Sequence, residues 1–156
     1  MGTRHRQLVI TKDGDAKVRQ YGQWDGYPSH QGVKILEYLR SANLEKYQQN
    51  LEKLRPATND ELDAIDKLGD VADDVFPYLS RDCGAKIHKM IEDGIVKFVQ
   101  IIPENEAIKW CKGFYTIDFQ TSEFVSEYGD ETVIFPLNGL PTNEEYLSMF
   151  TNENDN

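Results

Sequence analysis

The stretch RHRQLVITKDGDAKVRQYGQ, residues 4–23, decides the fold. Its first part, RHRQLVIT (Arg4 to Thr11), is rich in β-formers and runs into KDGD, where Asp13-Gly14 suits the positive φ of a tight turn. AKVRQYGQ then continues as a second strand, so the pattern predicts a β-hairpin. In that second strand Val18 and Gln20 alternate with Arg19 and Tyr21, which gives the hairpin one packed and one partly exposed face. Antiparallel pairing across the turn also brings Thr3 and Arg4, at the start of strand one, to the same end as Gln23 and Trp24, at the end of strand two.

Beyond the hairpin the period changes. After Pro28, Ser29 is a candidate cap for a helix in which Val33, Leu36 and Leu39 recur at helical spacing, and Asn43 caps a second with Leu44, Tyr47, Leu51 and Leu54 on one stripe. Pro56 ends that helix. TNDE (Thr58 to Glu61) is a capping box ahead of Leu62, Ile65 and Leu68, with Gly69 as a stop signal. A fourth helix is expected from about Ser80 to Asp93, with Cys83, Ile87, Met90 and Ile91 inward and Gly94 closing it.

The last third returns to strands. IVKFVQII (Ile95 to Ile102) is apolar enough for an inner strand, FYTIDF and EFVSEY flank the turn QTS, and TVIF (Thr132 to Phe135) adds another. A second capping box, TNEE (Thr142 to Glu145), opens a short helix before Tyr146, Leu147 and Phe150. The order predicts an α+β fold: a single domain over residues 1–150 with a mainly antiparallel sheet, made of the N-terminal hairpin and the C-terminal strands, and a helical middle section. Residues 151–156 read as a mobile acidic tail.

The length, 156 residues, suits one domain with one core. A net charge of -10 argues against binding nucleic acid through phosphate contacts. The charge is uneven. Residues 1–20 carry five basic and two acidic side chains, net +3, which leaves -13 for the remainder. The positive start is either a solvated surface or a local anion site on an acidic body. The acidic middle, with DELDAID and DVADD, is either a soluble face or a mimic of nucleic-acid charge for a basic protein groove.

Cys83 and Cys111 are the two cysteines, and no hydrophobic signal segment or membrane-spanning run is seen. A reducing cytosol is the expected setting, with idle thiols. His5, His30 and His88 lie apart, without metal-ligand spacing. No Gly-rich phosphate loop or dinucleotide fingerprint is present, so no cofactor is expected. Thr3 raises the idea of a hydrolase with an N-terminal nucleophile, but Met1-Gly2 precedes it and methionine removal would expose Gly2.

YGQWDGYPSHQG (Tyr21 to Gly32) concentrates rings, amides and glycines. Trp24, Tyr21 and Tyr27 can stack a flat ligand while Gln23, Gln31 and Asp25 read hydrogen-bonding edges. Thr3, Arg4 and Arg6 come from the neighbouring strand, and Arg4 supplies a cation fork. Two alternatives stand beside this pocket: Trp24 and Tyr27 plug the end of the core, and Arg4 pairs with Asp25. The set favours binding a small anionic, nucleotide-like ligand over catalysis. The apolar strands IVKFVQII and TVIF leave room for a homo-oligomer.

GTRH, YGQWDGYPSHQG and YTIDFQTSEF resemble a family of small phage- and prophage-encoded proteins that begin with a Ser/Gly-Thr-Arg strand and carry a Trp-Asp-Gly-Tyr-Pro segment. The resemblance covers the first forty residues and residues 114–124, and not the helical middle. It brings no catalytic role with it. It implies a viral accessory protein in the cytosol of a bacterial host; small phage accessory proteins often oppose host defence, and one way is to sequester a nucleotide-derived immune signal without chemistry. The alternatives are an acidic inhibitor that binds a host defence protein, and a small hydrolase.

Overall fold

The computed structural model describes residues 2–151. The chain folds as an α+β domain built on a five-stranded sheet. The predicted hairpin is formed by β1 (His5–Ile10) and β2 (Ala16–Gly22), closed by Gly14 at φ +90°. A π-helical turn, Pro28–Gly32, leads into α1 (Val33–Ser41), followed by α2 (Leu44–Glu52). β3 (Arg55–Pro56), α3 (Asn59–Asp66), α4 (Ala72–Val75) and α5 (Lys86–Glu92) complete the helical middle. Then come β4 (Phe98–Val99), α6 (Glu104–Trp110), β5 (Gly113–Asp118), β6 (Glu123–Tyr128), β7 (Glu131–Pro136) and α7 (Asn143–Ser148). Of the expected tail, residues 152–156 lie outside the described residues.

The sheet order is β2-β1-β5-β6-β7. Three of its four pairings are antiparallel, and the exception is that between β1 and β5, which run parallel. A parallel neighbour cannot be reached by a tight turn, so the whole helical middle serves as the crossover from the sheet edge back to its centre. Ile35, Leu36, Tyr47, Leu51, Ile87 and Ile91 from α1, α2 and α5 are buried in one core cluster with Val9, Val18, Ile117 and Phe124 of the sheet. Both capping boxes form, with Thr58 paired to Glu61 and Thr142 to Glu145.

The expected inner strand over 95–102 does not form. Only Phe98–Val99 is extended, in a two-residue parallel pairing with Arg55–Pro56, and Ile95 is exposed. Val96 and Val99 are buried all the same, so the run is apolar because it lies on the core and not because it joins the sheet. β1, by contrast, is an inner strand, five of whose six residues are buried although three of them are His5, Arg6 and Gln7. Two helices also depart from expectation. The fourth begins at Lys86 because residues 80–85 form turns through Gly84 at φ +57°, and α3 buries none of its stripe.

The polar residues of β1 are buried because each has a partner. On the helix-covered face, the Tyr47 hydroxyl meets His88 Nδ1 at 2.8 Å and His88 Nε2 meets Gln7 Oε1 at 2.9 Å. Gln7 Nε2 in turn meets His5 Nδ1 at 3.2 Å. One direction satisfies every atom of this chain: Tyr47 donates to His88, neutral His88 donates to Gln7, and Gln7 donates to His5. Burial, with the Lys34 charge as a smaller cause, lowers the His5 pKa to about 4, and burial, with His5 as a smaller cause, lowers His88 to about 3. Nearby, buried Glu92 joins three helices. It accepts from the Tyr38 hydroxyl at 3.1 Å and the Asn43 amide at 2.6 Å, and it pairs with Lys89 at 2.6 Å.

Both histidines bind fewer protons in the folded protein than in the unfolded chain once pH falls below 6.5. Stability is therefore complete above that pH and falls as pH drops toward 4 and 3, at up to about 1.4 kcal/mol per pH unit for each ring. Urea melts between pH 7 and 5, above most carboxylate titration, should show this slope, and His88→Gln should reduce it. Tyr47→Phe strips the donor from His88 and should cost about 1–3 kcal/mol in the same melts at pH 7.

Candidate functional site

The outer edge of β2 does not face open solvent. At one end the Gln23 amide donates to the Arg81 carbonyl at 2.9 Å, and further down the Ile102 amide donates to the Arg19 carbonyl at 3.0 Å. Two segments, around 79–81 and 100–110, thus flank the strand and enclose a cleft of about 520 Å³ over it. Arg4, Tyr21, Gln23 and Gln20 come from the hairpin, Leu79 and Arg81 from one flank, and Gln100, Ile102, Glu106 and Trp110 from the other. The cleft combines two guanidinium groups, two aromatic rings and three amides with a single carboxylate. Gln20 is held by donating to the carbonyls of Tyr78 at 2.8 Å and Ser80 at 3.5 Å, and the Tyr21 hydroxyl donates to Gln23 Oε1.

Three of the predicted residues, Arg4, Tyr21 and Gln23, therefore meet in one cleft, as antiparallel pairing requires. The others are outside its lining. Thr3, Asp25, Tyr27 and Gln31 shape the loop. The Thr3 carbonyl accepts from the Gly26 amide at 2.9 Å, and Asp25 turns the chain at φ +58° and accepts from the Gln31 amide at 3.2 Å. Buried Gln31 spans the bend, donating to the Trp24 carbonyl at 3.3 Å and accepting from the Ala85 amide at 2.9 Å. Tyr27 packs on Tyr128, with ring centroids 5.8 Å apart.

Gly26 and Gly113 are needed where backbones cross. A Cβ at Gly113 would lie 2.3 Å from the Gly26 carbonyl oxygen, which already accepts from the Tyr115 hydroxyl at 2.6 Å. Trp24 neither lines this cleft nor plugs the core: it is 45% exposed, and its indole N–H donates to Asp82 at 2.6 Å, beside Arg81.

Arg6 lies on the sheet face away from His5 and Gln7, the face of its register partner Tyr21, but outside the cleft lining. Its guanidinium contacts Glu104 Oε1 at 2.5 Å, donates to Thr116 Oγ1 at 2.9 Å and lies 5.2 Å from the centre of the Phe114 ring. Arg19 Nε approaches the second Glu104 oxygen at 3.1 Å, an ion pair set off the angle of a hydrogen bond. Glu104 thereby ties the first turn of α6 to the hairpin, and α6 carries Glu106 and Trp110 into the cleft. Sequence reasoning missed Arg81, Gln100, Glu106 and Trp110. The local signal at Trp110 is its setting between Lys109 and Lys112, polar company for so large a ring.

Both cysteines and His88 are tied up by burial or bonding. Burial raises both Cys83 and Cys111 to about 11, so both thiols stay protonated at neutral pH. His88, five residues from Cys83, spends both ring nitrogens on Tyr47 and Gln7. Among the described residues no group of three or more His, Cys, Asp or Glu could hold a metal ion, and no helix is long and apolar enough to cross a membrane. No protein-family model matches the chain, and no curated protein or solved structure is significantly similar to it.

Glu104→Gln leaves Arg6, buried to all but 7% of its side chain, without a countercharge. Because Glu104 itself is about one third exposed, the loss should be about 1–3 kcal/mol in urea melts, below that of a fully buried pair. Glu106→Gln, two residues further along α6, should change stability by less than about 0.5 kcal/mol.

Proposed function

We propose that the protein binds a small anionic, planar ligand of nucleotide type in the cleft over β2 and holds it without chemical change. The observation that carries this reading is the lining itself: Arg4 and Arg81 for an anionic group, Tyr21 and Trp110 for the faces of a flat ring, Gln23 and Gln100 for its hydrogen-bonding edges. Trp110 is half exposed, and a stacked ring would cover it. An apolar floor of Leu79 and Ile102 completes a site with a few directed polar groups. Protonated thiols and a His88 with both ring nitrogens bonded favour retention over turnover.

The biological setting rests on the resemblance to phage- and prophage-encoded proteins. In that setting the ligand is a nucleotide-derived immune signal in the bacterial host cytosol, and sequestering it would blunt host defence. Free signal falls in proportion to the binder present, with no reaction needed.

The test is a thermal-shift and native mass-spectrometry screen against cyclic oligonucleotides, ADP-ribose derivatives and ordinary nucleotides, with each compound checked for breakdown afterwards. A ligand that binds only the folded protein raises its melting temperature. Trp110→Ala and Arg81→Ala should each weaken binding by about tenfold or more, while Trp24→Ala, outside the lining, should change it by less than about threefold. Breakdown of a compound would make the protein an enzyme, and no shift with any of them would overturn the proposal.

A further inference from the structure

The segment 59–75 has an unusual composition for its place in the fold. It carries seven acidic side chains against Lys67 alone, a net charge of -6. Neither α3 nor α4 contributes a buried residue. Yet the segment is not simply a polar face, because Leu68, Val71 and Val75 are 39%, 51% and 55% exposed. Between α3 and α4 runs a groove of about 630 Å³, with Leu62, Ile65 and Phe76 in its lining and Asp63, Asp66 and Asp73 beside them. Leu68, Val71 and Val75 stand outside the lining, but Val71 and Val75 directly precede its residues Ala72 and Phe76, so exposed apolar side chains border a groove of mixed polar and apolar walls, an arrangement that marks interaction surfaces.

We infer that this groove docks a basic amphipathic helix from a partner protein. An apolar strip with residues at i, i+3 and i+4 fits between the two helices, and Lys or Arg on its flanks meets the aspartates. Charge decides against the other occupants. A second copy of the chain would set -6 against -6, and nucleic acid or an anionic lipid surface would be repelled. Arg55, at the surface, ties the start of α3 to β3 through Glu61 at 2.7 Å. Leu79 and Gln100 line both this groove and the cleft over β2, and a docked helix would lie against the cleft wall. The inference does not depend on what the cleft binds.

The probe is a fluorescent Lys/Leu peptide with helical amphipathic spacing, followed by anisotropy, beside a peptide of equal charge in which Gly replaces every Leu. The Lys/Leu peptide should bind, and the Gly peptide should bind at least about tenfold more weakly. Val71→Ser with Val75→Ser, both at exposed positions, should keep the wild-type melting temperature and weaken binding by about tenfold. Asp63→Asn, Asp66→Asn and Asp73→Asn together should do the same and flatten the salt dependence. Failure of the Lys/Leu peptide to bind would overturn the inference. So would equal binding of the Gly peptide, which would reduce the surface to a charge field, or variants that bind within about twofold of wild type. Trp110→Ala should leave peptide binding unchanged, which separates this surface from the cleft.

Discussion

A central strand that buries His5, Arg6 and Gln7 must supply each of them with a partner, and much of the molecule is arranged around that demand. On one sheet face His5 and Gln7 require His88 from α5 and Tyr47 from α2, which sets how both helices sit over the sheet. On the other face Arg6 requires a carboxylate, and Glu104 at the first turn of α6 provides it. Leaving any of these groups unpaired in a dry interior would cost more than most single packing contacts supply. The network therefore specifies as well as stabilises: a register slip of one residue in β1 would turn Arg6 into the helix-covered core.

The same constraint organises the cleft. α6 is short, with Ala107 as its buried residue, and its docking rests on Glu104 more than on apolar area. Holding that helix down places Trp110 and Glu106 opposite the hairpin. The aromatic loop works at the other end, less as a wall than as a brace. Gly26, Gln31 and Tyr27 bind it to β1, to the start of α5 and to β6, so that Gln23 can reach the Arg81 segment.

The charge asymmetry also resolves in three dimensions. Part of the excess positive charge of the first twenty residues turns toward Glu104, while Arg4 joins Arg81 at the cleft. The acids of the middle are turned outward along α3 and α4, away from the core. A protein of net charge -10 can in this way present a cationic cleft beside an anionic groove.

The hairpin, the α+β order, both capping boxes and the stripes of α1 and α2 were legible in the sequence, because they rest on contacts a few residues apart. Period, turn chemistry and side-chain caps are local physics. The meeting of Arg4, Tyr21 and Gln23 was legible too, since a hairpin of known turn fixes its own ends. What only the tertiary structure decided depends on neighbours distant in the chain. That a strand with three polar residues lies inside the sheet emerges only once β5 pairs with it and His88 and Glu104 satisfy those residues. IVKFVQII reads as an inner strand until it is seen lying on the core beside β2. Arg81 and Trp110 reach the cleft because two segments dock on one strand edge, and no spacing rule links residues 4, 81 and 110.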